Sequence, residues 1–211
     1  MDAIEWSAFK TMGREIGWWK AIRLGLALRK KVKAGAPFQS LPPAKDEAEQ
    51  LSRNQIGPAL VLYQEAQRFF TQKEAYDLTA AVASTAAIVF LGQMIGPLTQ
   101  KELSSLNDSE RRAFVEERGK KFFNATMRWD KVETTDVHFT VTRCTFPTLC
   151  EAVGLAELAP IFCKGDAIFF GQVEKNVELN RPKTIAGGDS ECIFQLRWIP
   201  EEAEDSATER S

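Results

Sequence analysis

Apolar residues recur at steps of three and four near the start of the chain: Phe9, Met12, Ile16, Trp19, Ile22 and Leu26. That period predicts one amphipathic helix over residues 4–33, stopped by Gly35 and Pro37. Its basic end, Arg29, Lys30, Lys31 and Lys33, suits the negative pole of a helix C-terminus. Pro42-Pro43 and the polar run to Ser52 read as a linker. Ile56, Leu60, Tyr63, Gln67 and Phe70 mark a second helix, and a third begins near Lys73. No charged residue occurs from Leu78 to Gln100, and a membrane span needs about 20 apolar residues. Thr79, Ser84, Thr85, Gln93 and Gly96-Pro97 dilute the stretch, so a buried central helix is expected instead. Asn107-Asp108-Ser109-Glu110 is a capping sequence for a further helix reaching about Thr126.

The period then changes to two. Val137, Phe139 and Val141 alternate with His138, Thr140 and Thr142, which predicts a half-buried strand. Pro147 suits the first turn of a short helix that Gly154 ends, and residues 157–170 form another. Val173, Lys175, Val177 and Leu179 alternate again. Gly187-Gly188-Asp189 is turn material before a last strand with Cys192, Phe194, Leu196 and Trp198 on one face. Helices first and antiparallel strands later give an α+β class, a helical N-terminal region packed on a C-terminal antiparallel sheet with two short helices.

Composition refines this in three ways. A length of 211 residues suits a single α+β domain over 51–200, with a basic helix and linker over 1–50. Residues 201–211, with five acids and one base, read as a disordered acidic tail. The net charge of −2 gives no general attraction to nucleic acid, although residues 1–40 hold eight basic residues against three acids. That basic helix could contact a membrane surface or a protein, and a homodimer is also open. The start lacks a signal-peptide pattern, and four unevenly spaced cysteines suit reduced thiols, so a cytoplasmic location is expected.

The cysteine gaps of five, twelve and twenty-eight residues contain no close ligand pair, so neither a metal nor a cofactor is expected. Cys192 shares parity with an apolar strand face and reads as packing, as does Cys150. Cys144 has the parity of His138, Thr140 and Thr142, the more polar face, where it could line a pocket. Cys163 and Asp166 share a helix face inside a stretch, 158–170, whose only charges are Lys164 and Asp166. A carboxylate in such surroundings must find a partner, stay protonated or serve a ligand. An ionised Asp166 would disfavour a thiolate at Cys163, so the pair is no self-activating nucleophile. Arg143, Arg181 and Lys183 could neutralise a small acidic substrate. No phosphate loop, dinucleotide fingerprint or Gly-x-Ser-x-Gly occurs, and a catalytic triad could run only through His138.

Together these residues resemble a known family. Arg143-Cys144, Cys150, Gly154, Leu158 and Phe162-Cys163-Lys164-Gly165-Asp166 are similar to the L-2-amino-thiazoline-4-carboxylic acid hydrolase family. So are Arg181, Lys183-Thr184-Ile185-Ala186 and Gly188-Asp189-Ser190-Glu191-Cys192-Ile193-Phe194. The resemblance covers roughly residues 135–198, and its closing motif is also similar to vinyl-reductase-type small-molecule-binding domains. It implies a hydrolase acting on non-peptide C–N bonds of a small cyclic amidine or amide. Water opens a 2-amino-thiazoline carboxylate to N-carbamoyl-cysteine. It also implies Asp166, Cys163 and Cys144 as catalytic candidates, and His138, Arg181, Lys183 and Cys192 as substrate-binding ones. The alternative is a non-catalytic module holding a small apolar or acidic ligand.

Overall fold

The computed structural model describes residues 2–95, 99–170 and 176–199. The single N-terminal helix expected from periodicity is two: α1 (Ala3–Ile16) and α2 (Trp18–Lys33). Gly17 takes φ +80°, which favours glycine, and breaks the run. The break lets Trp18 fold back on α1, where any Cβ at Gly13 would lie 2.5 Å from its ring. Apolar period alone could not register this, because both halves keep the same step on either side of the hinge.

Four further helices follow: α3 (Glu47–Ala66), α4 (Gln72–Ile95), α5 (Gln100–Ser105) and α6 (Asp108–Gly119). Asp46 caps α3 through the Glu49 N–H at 2.7 Å. Asn107 and Glu110 form the expected reciprocal box at the start of α6. Buried Arg111 donates to the Leu103 and Leu106 carbonyls at 2.8 and 2.7 Å, tying the end of α5 to α6. Met12, Ala21 and Leu24 share one apolar core with Ile56, Leu60, Leu78, Leu149 and Ile161. Glu65, 2% exposed, lies under α2 and is held by Lys31 and, at 3.2 Å, by Arg68.

α4 is the central helix. By length and composition alone its 23-residue segment Gln72–Met94 is apolar enough to cross a membrane, yet none of residues 78–91 is exposed. Protein covers it on several sides. Thr11 of α1 bonds Thr85 at 3.2 Å, and a Cβ on Gly165 would lie 2.4 Å from that of Ala87. The glycine therefore sets how closely the later helix α8 approaches.

The second half carries a four-stranded antiparallel sheet in the order β1-β2-β4-β3. Its strands are β1 (Ala125–Val132), β2 (Asp136–Cys144), β3 (Val177–Asn180) and β4 (Cys192–Trp198). Between β2 and β3 lie α7 (Thr145–Ala152), a 3-10 turn (Ala156–Leu158) and α8 (Ala159–Ile168). Gly188, at φ +102°, makes the turn into β4. The α+β class is as expected from the sequence.

β1 was not foreseen, and α6 stops seven residues short of Thr126. Ala125, Met127 and Trp129 alternate with Thr126, Arg128 and Asp130 as a half-buried strand should, but the helix expected to reach about Thr126 overran the start of that pattern. The expected alternation at Val173 and Lys175 falls outside the described residues, as does the acidic tail.

Two register shifts between β1 and β2 shape what lies above the sheet. Thr126 pairs Arg143 while Met127 pairs Val141, so Thr142 is an extra residue in β2. An extra residue reverses which face later side chains occupy. Cys144 therefore joins Val137, Phe139 and Val141 on the apolar face, not the polar face that strict alternation assigns it.

Candidate active site

The apolar sheet face, α4, α6 and α8 enclose a cavity, of which about 130 Å³ admits the centre of a water-sized sphere. One wall is a row of aromatic rings running across three strands. Trp129 lies 5.2 Å from Phe139, and Phe139 stacks on Phe194 at 4.6 Å and 11°. The row ends in a charge, because the Arg181 guanidinium sits 4.4 Å above the Phe194 ring. Arg181 reaches this place from the residue after β3, whose Asn180 pairs Gln195 of β4.

Arg181 is the most constrained group in the cavity. Its Nη1 donates to the Cys163 carbonyl at 2.9 Å and to Asp166 Oδ2 at 3.3 Å. Its side chain is 10% exposed, and its Nε is buried with no hydrogen-bond partner among the described residues. The Gln55 Oε1 acceptor, from α3 on the cavity wall, is orphaned in the same way. A buried donor and a buried acceptor without partners cost free energy until a ligand or water satisfies them.

Asp166 comes from the last turn of α8. Its side chain is 27% exposed and lines the cavity. Burial pushes its carboxyl up from 3.8 to about 6, and Arg181 holds it back from rising further. Burial also disfavours charge on Arg181, but Asp166 and Cys163 outweigh this and keep it cationic above its ordinary range. The pair is thus a fixed cation beside a carboxylate that titrates close to neutrality.

The thiols behave differently. Burial raises Cys144 to about 11, although Phe146 N–H and the Asn124 amide, 3.7 Å from its sulfur, favour the thiolate. Burial raises Cys163 too, against the pull of Arg181. Both line the cavity as protonated thiols at neutral pH, so neither is a ready nucleophile. Cys192 also lines it, with its sulfur accepting the Ile185 N–H at 3.2 Å. Cys150 is fully buried in the helical core, raised to about 12, and takes no part.

The structure thus brings together Cys144, Cys163, Asp166, Arg181 and Cys192. It does not bring His138 or Lys183 to them. His138 lies on the opposite sheet face, 3.8 Å from Asp136, in a polar cluster with Lys131 and Arg197. Lys183 is half exposed and 4.0 Å from Glu191. Arg143 is exposed and does not line the cavity. Sequence reasoning missed Gln55, Asn124 and Trp129. Gln55 reads as one more polar position on α3, and Asn124 and Trp129 belong to the strand entry that went unread. No group of three His, Cys, Asp or Glu side chains among the described residues could hold a metal ion.

Nothing among curated proteins or solved structures matches the chain. A family model for L-2-amino-thiazoline-4-carboxylic acid hydrolase matches residues 52–196, well over half of the chain and every cavity element from α3 to β4. The protein belongs to the L-2-amino-thiazoline-4-carboxylic acid hydrolase family.

Proposed function

We propose that this protein hydrolyses a small cyclic amidine carrying a carboxylate, such as 2-amino-thiazoline-4-carboxylate, with Asp166 as the base. The observation that carries the reading is the Asp166–Arg181 pair at the charged end of an apolar cavity. A zwitterionic substrate complements a zwitterionic pair. Its carboxylate meets the unpartnered Arg181 Nε, and an amidine N–H reaches the unpartnered Gln55 oxygen.

The chemistry follows from the protonation states. Asp166, ionised above about pH 6, takes a proton from water as the oxygen bonds to the carbon held by two nitrogens and sulfur. The tetrahedral carbon then re-forms a carbonyl as its bond to sulfur breaks. Both carbon–nitrogen bonds survive and the ring carbon–sulfur bond is the one cleaved. The C–N cleavage that the family resemblance implies therefore does not describe this substrate, and the product is N-carbamoyl-cysteine. The departing sulfur takes the proton back from Asp166, and water's two hydrogens are accounted for in the thiol and the ureido group. The raised thiols of Cys144 and Cys163 favour direct attack by water over a covalent thioester-like intermediate.

Purified protein incubated with the thiazoline carboxylate should yield carbamoyl-cysteine by mass spectrometry. Arg181→Lys should raise KM more than it lowers kcat, because its role is in holding the carboxylate. Absence of product across pH 5–8 would remove the assignment. The largely apolar lining favours one competing reading, a non-catalytic binding module. Native mass spectrometry showing a retained, unconverted ligand would support that instead.

A further inference from the structure

Independently of the cavity, we infer that the solvent-facing side of α2 docks on an anionic membrane surface. The helical period puts Ala21, Leu24 and Leu28 on the side packed into the core. It puts Trp19, Ile22 and Leu26 on the opposite side, where they are 84%, 41% and 66% exposed. Arg23, Arg29, Lys30 and Lys33 are exposed around and beyond that apolar row. The 16 residues of α2 include six basic and no acidic ones. Lys31, on the flank, is the one engaged with Glu65.

The patch continues onto the turn after α3. Phe69 there is 59% exposed with the Arg23 guanidinium 5.8 Å above its ring, and Arg68 is 65% exposed. A convex ridge of Trp, Ile and Leu inside a ring of like charge fits a plane of anionic headgroups over acyl chains. The aromatic and aliphatic side chains enter the boundary, and the long basic side chains stay at headgroup level. The whole chain carries a net −2, so the attraction is local to this face and fixes the orientation of the bound protein.

The test is flotation of the full chain with vesicles of phosphatidylcholine alone or with about one third phosphatidylglycerol. Binding is expected only with the anionic vesicles and should fade at high salt. Trp19→Ala with Leu26→Ser, and separately Lys30→Glu with Lys33→Glu, should each lower the partition coefficient at least about tenfold. In circular dichroism the Trp19/Leu26 variant should melt like the parent, because both side chains are exposed. The Lys30/Lys33 variant, which places acids at the negative pole of α2, should melt somewhat lower but remain folded at the assay temperature. Lys120→Glu, on the remote end of α6, should bind like the parent. Failure to float, undiminished binding by both double variants, or an equal loss in Lys120→Glu would overturn the proposal. So would a dimer, dissolved by the Trp19/Leu26 variant, that never meets vesicles.

Discussion

Asp166→Asn should make the protein more stable at pH 7.5 while removing its activity. The folded carboxyl titrates at about 6 against an ordinary value of 3.8, so between these values the folded state binds more protons than the unfolded one. Stability from this group is complete below about pH 4 and is lost as pH rises through 6. The shift of about two units corresponds to roughly 3 kcal/mol, an upper figure. Asparagine mimics the protonated acid in shape, keeps an oxygen for Arg181 and cannot ionise. At about 2–4 °C per kcal/mol for a domain of this size, the variant should melt several degrees above the parent at pH 7.5. Below pH 4 the two should nearly coincide. The assay is thermal unfolding of both proteins from pH 3.5 to 8, taking the difference so that Glu65, Asp130 and Asp136 cancel. A difference that stays flat across pH 4–7 would refute the burial argument for Asp166.

Gly165→Ala should destabilise by about 1–3 kcal/mol in denaturant titration, because its Cβ would fall 2.4 Å from that of Ala87. Alkylation of the native protein at neutral pH should label Cys144 and Cys163, half-buried and cavity-lining, before buried Cys150 and Cys192. A thiazoline carboxylate should slow both, and fastest labelling at Cys192 would contradict the sheet register. Lys31→Ala should weaken the protein above pH 4.5 and lose that effect in acid. Lys31 is the main cause of the lowered Glu65 pKa, so the stability it gives is present above 4.5 and lost as pH falls through the lowered value. Acid unfolding of parent and variant checks this.

Much of the architecture was legible because it rests on one-dimensional signals. The α6 cap, the α7 and α8 helices and the Cys192–Trp198 face all follow from local spacing and turn chemistry. What failed was mostly non-local. The break at Gly17 depends on Trp18 finding Gly13, whereas β1 carries a local alternation that the helix expected to reach Thr126 overran. Cys144 was expected near a pocket for the wrong reason, since a bulge at Thr142 turns it onto the apolar face. Asp166 stood out as a charge in an apolar run, but its partner lies fifteen residues away in sequence. His138 and Lys183 carried suitable chemistry on the wrong surfaces, and residue type alone could not separate them from Arg181. Gln55 is visible only once α3 is laid against the cavity.

The most direct test of the account is the pH dependence of kcat/KM for thiazoline carboxylate opening, in the parent and in Asp166→Asn, with carbamoyl-cysteine as the measured product. The parent should show a rising limb with an apparent pKa near 6. The variant should lose about 10²–10⁴-fold with no such limb. Equal turnover by both proteins, or a parent limb near the ordinary carboxylate value of 3.8, would contradict Asp166 as the base in a buried, Arg181-paired site.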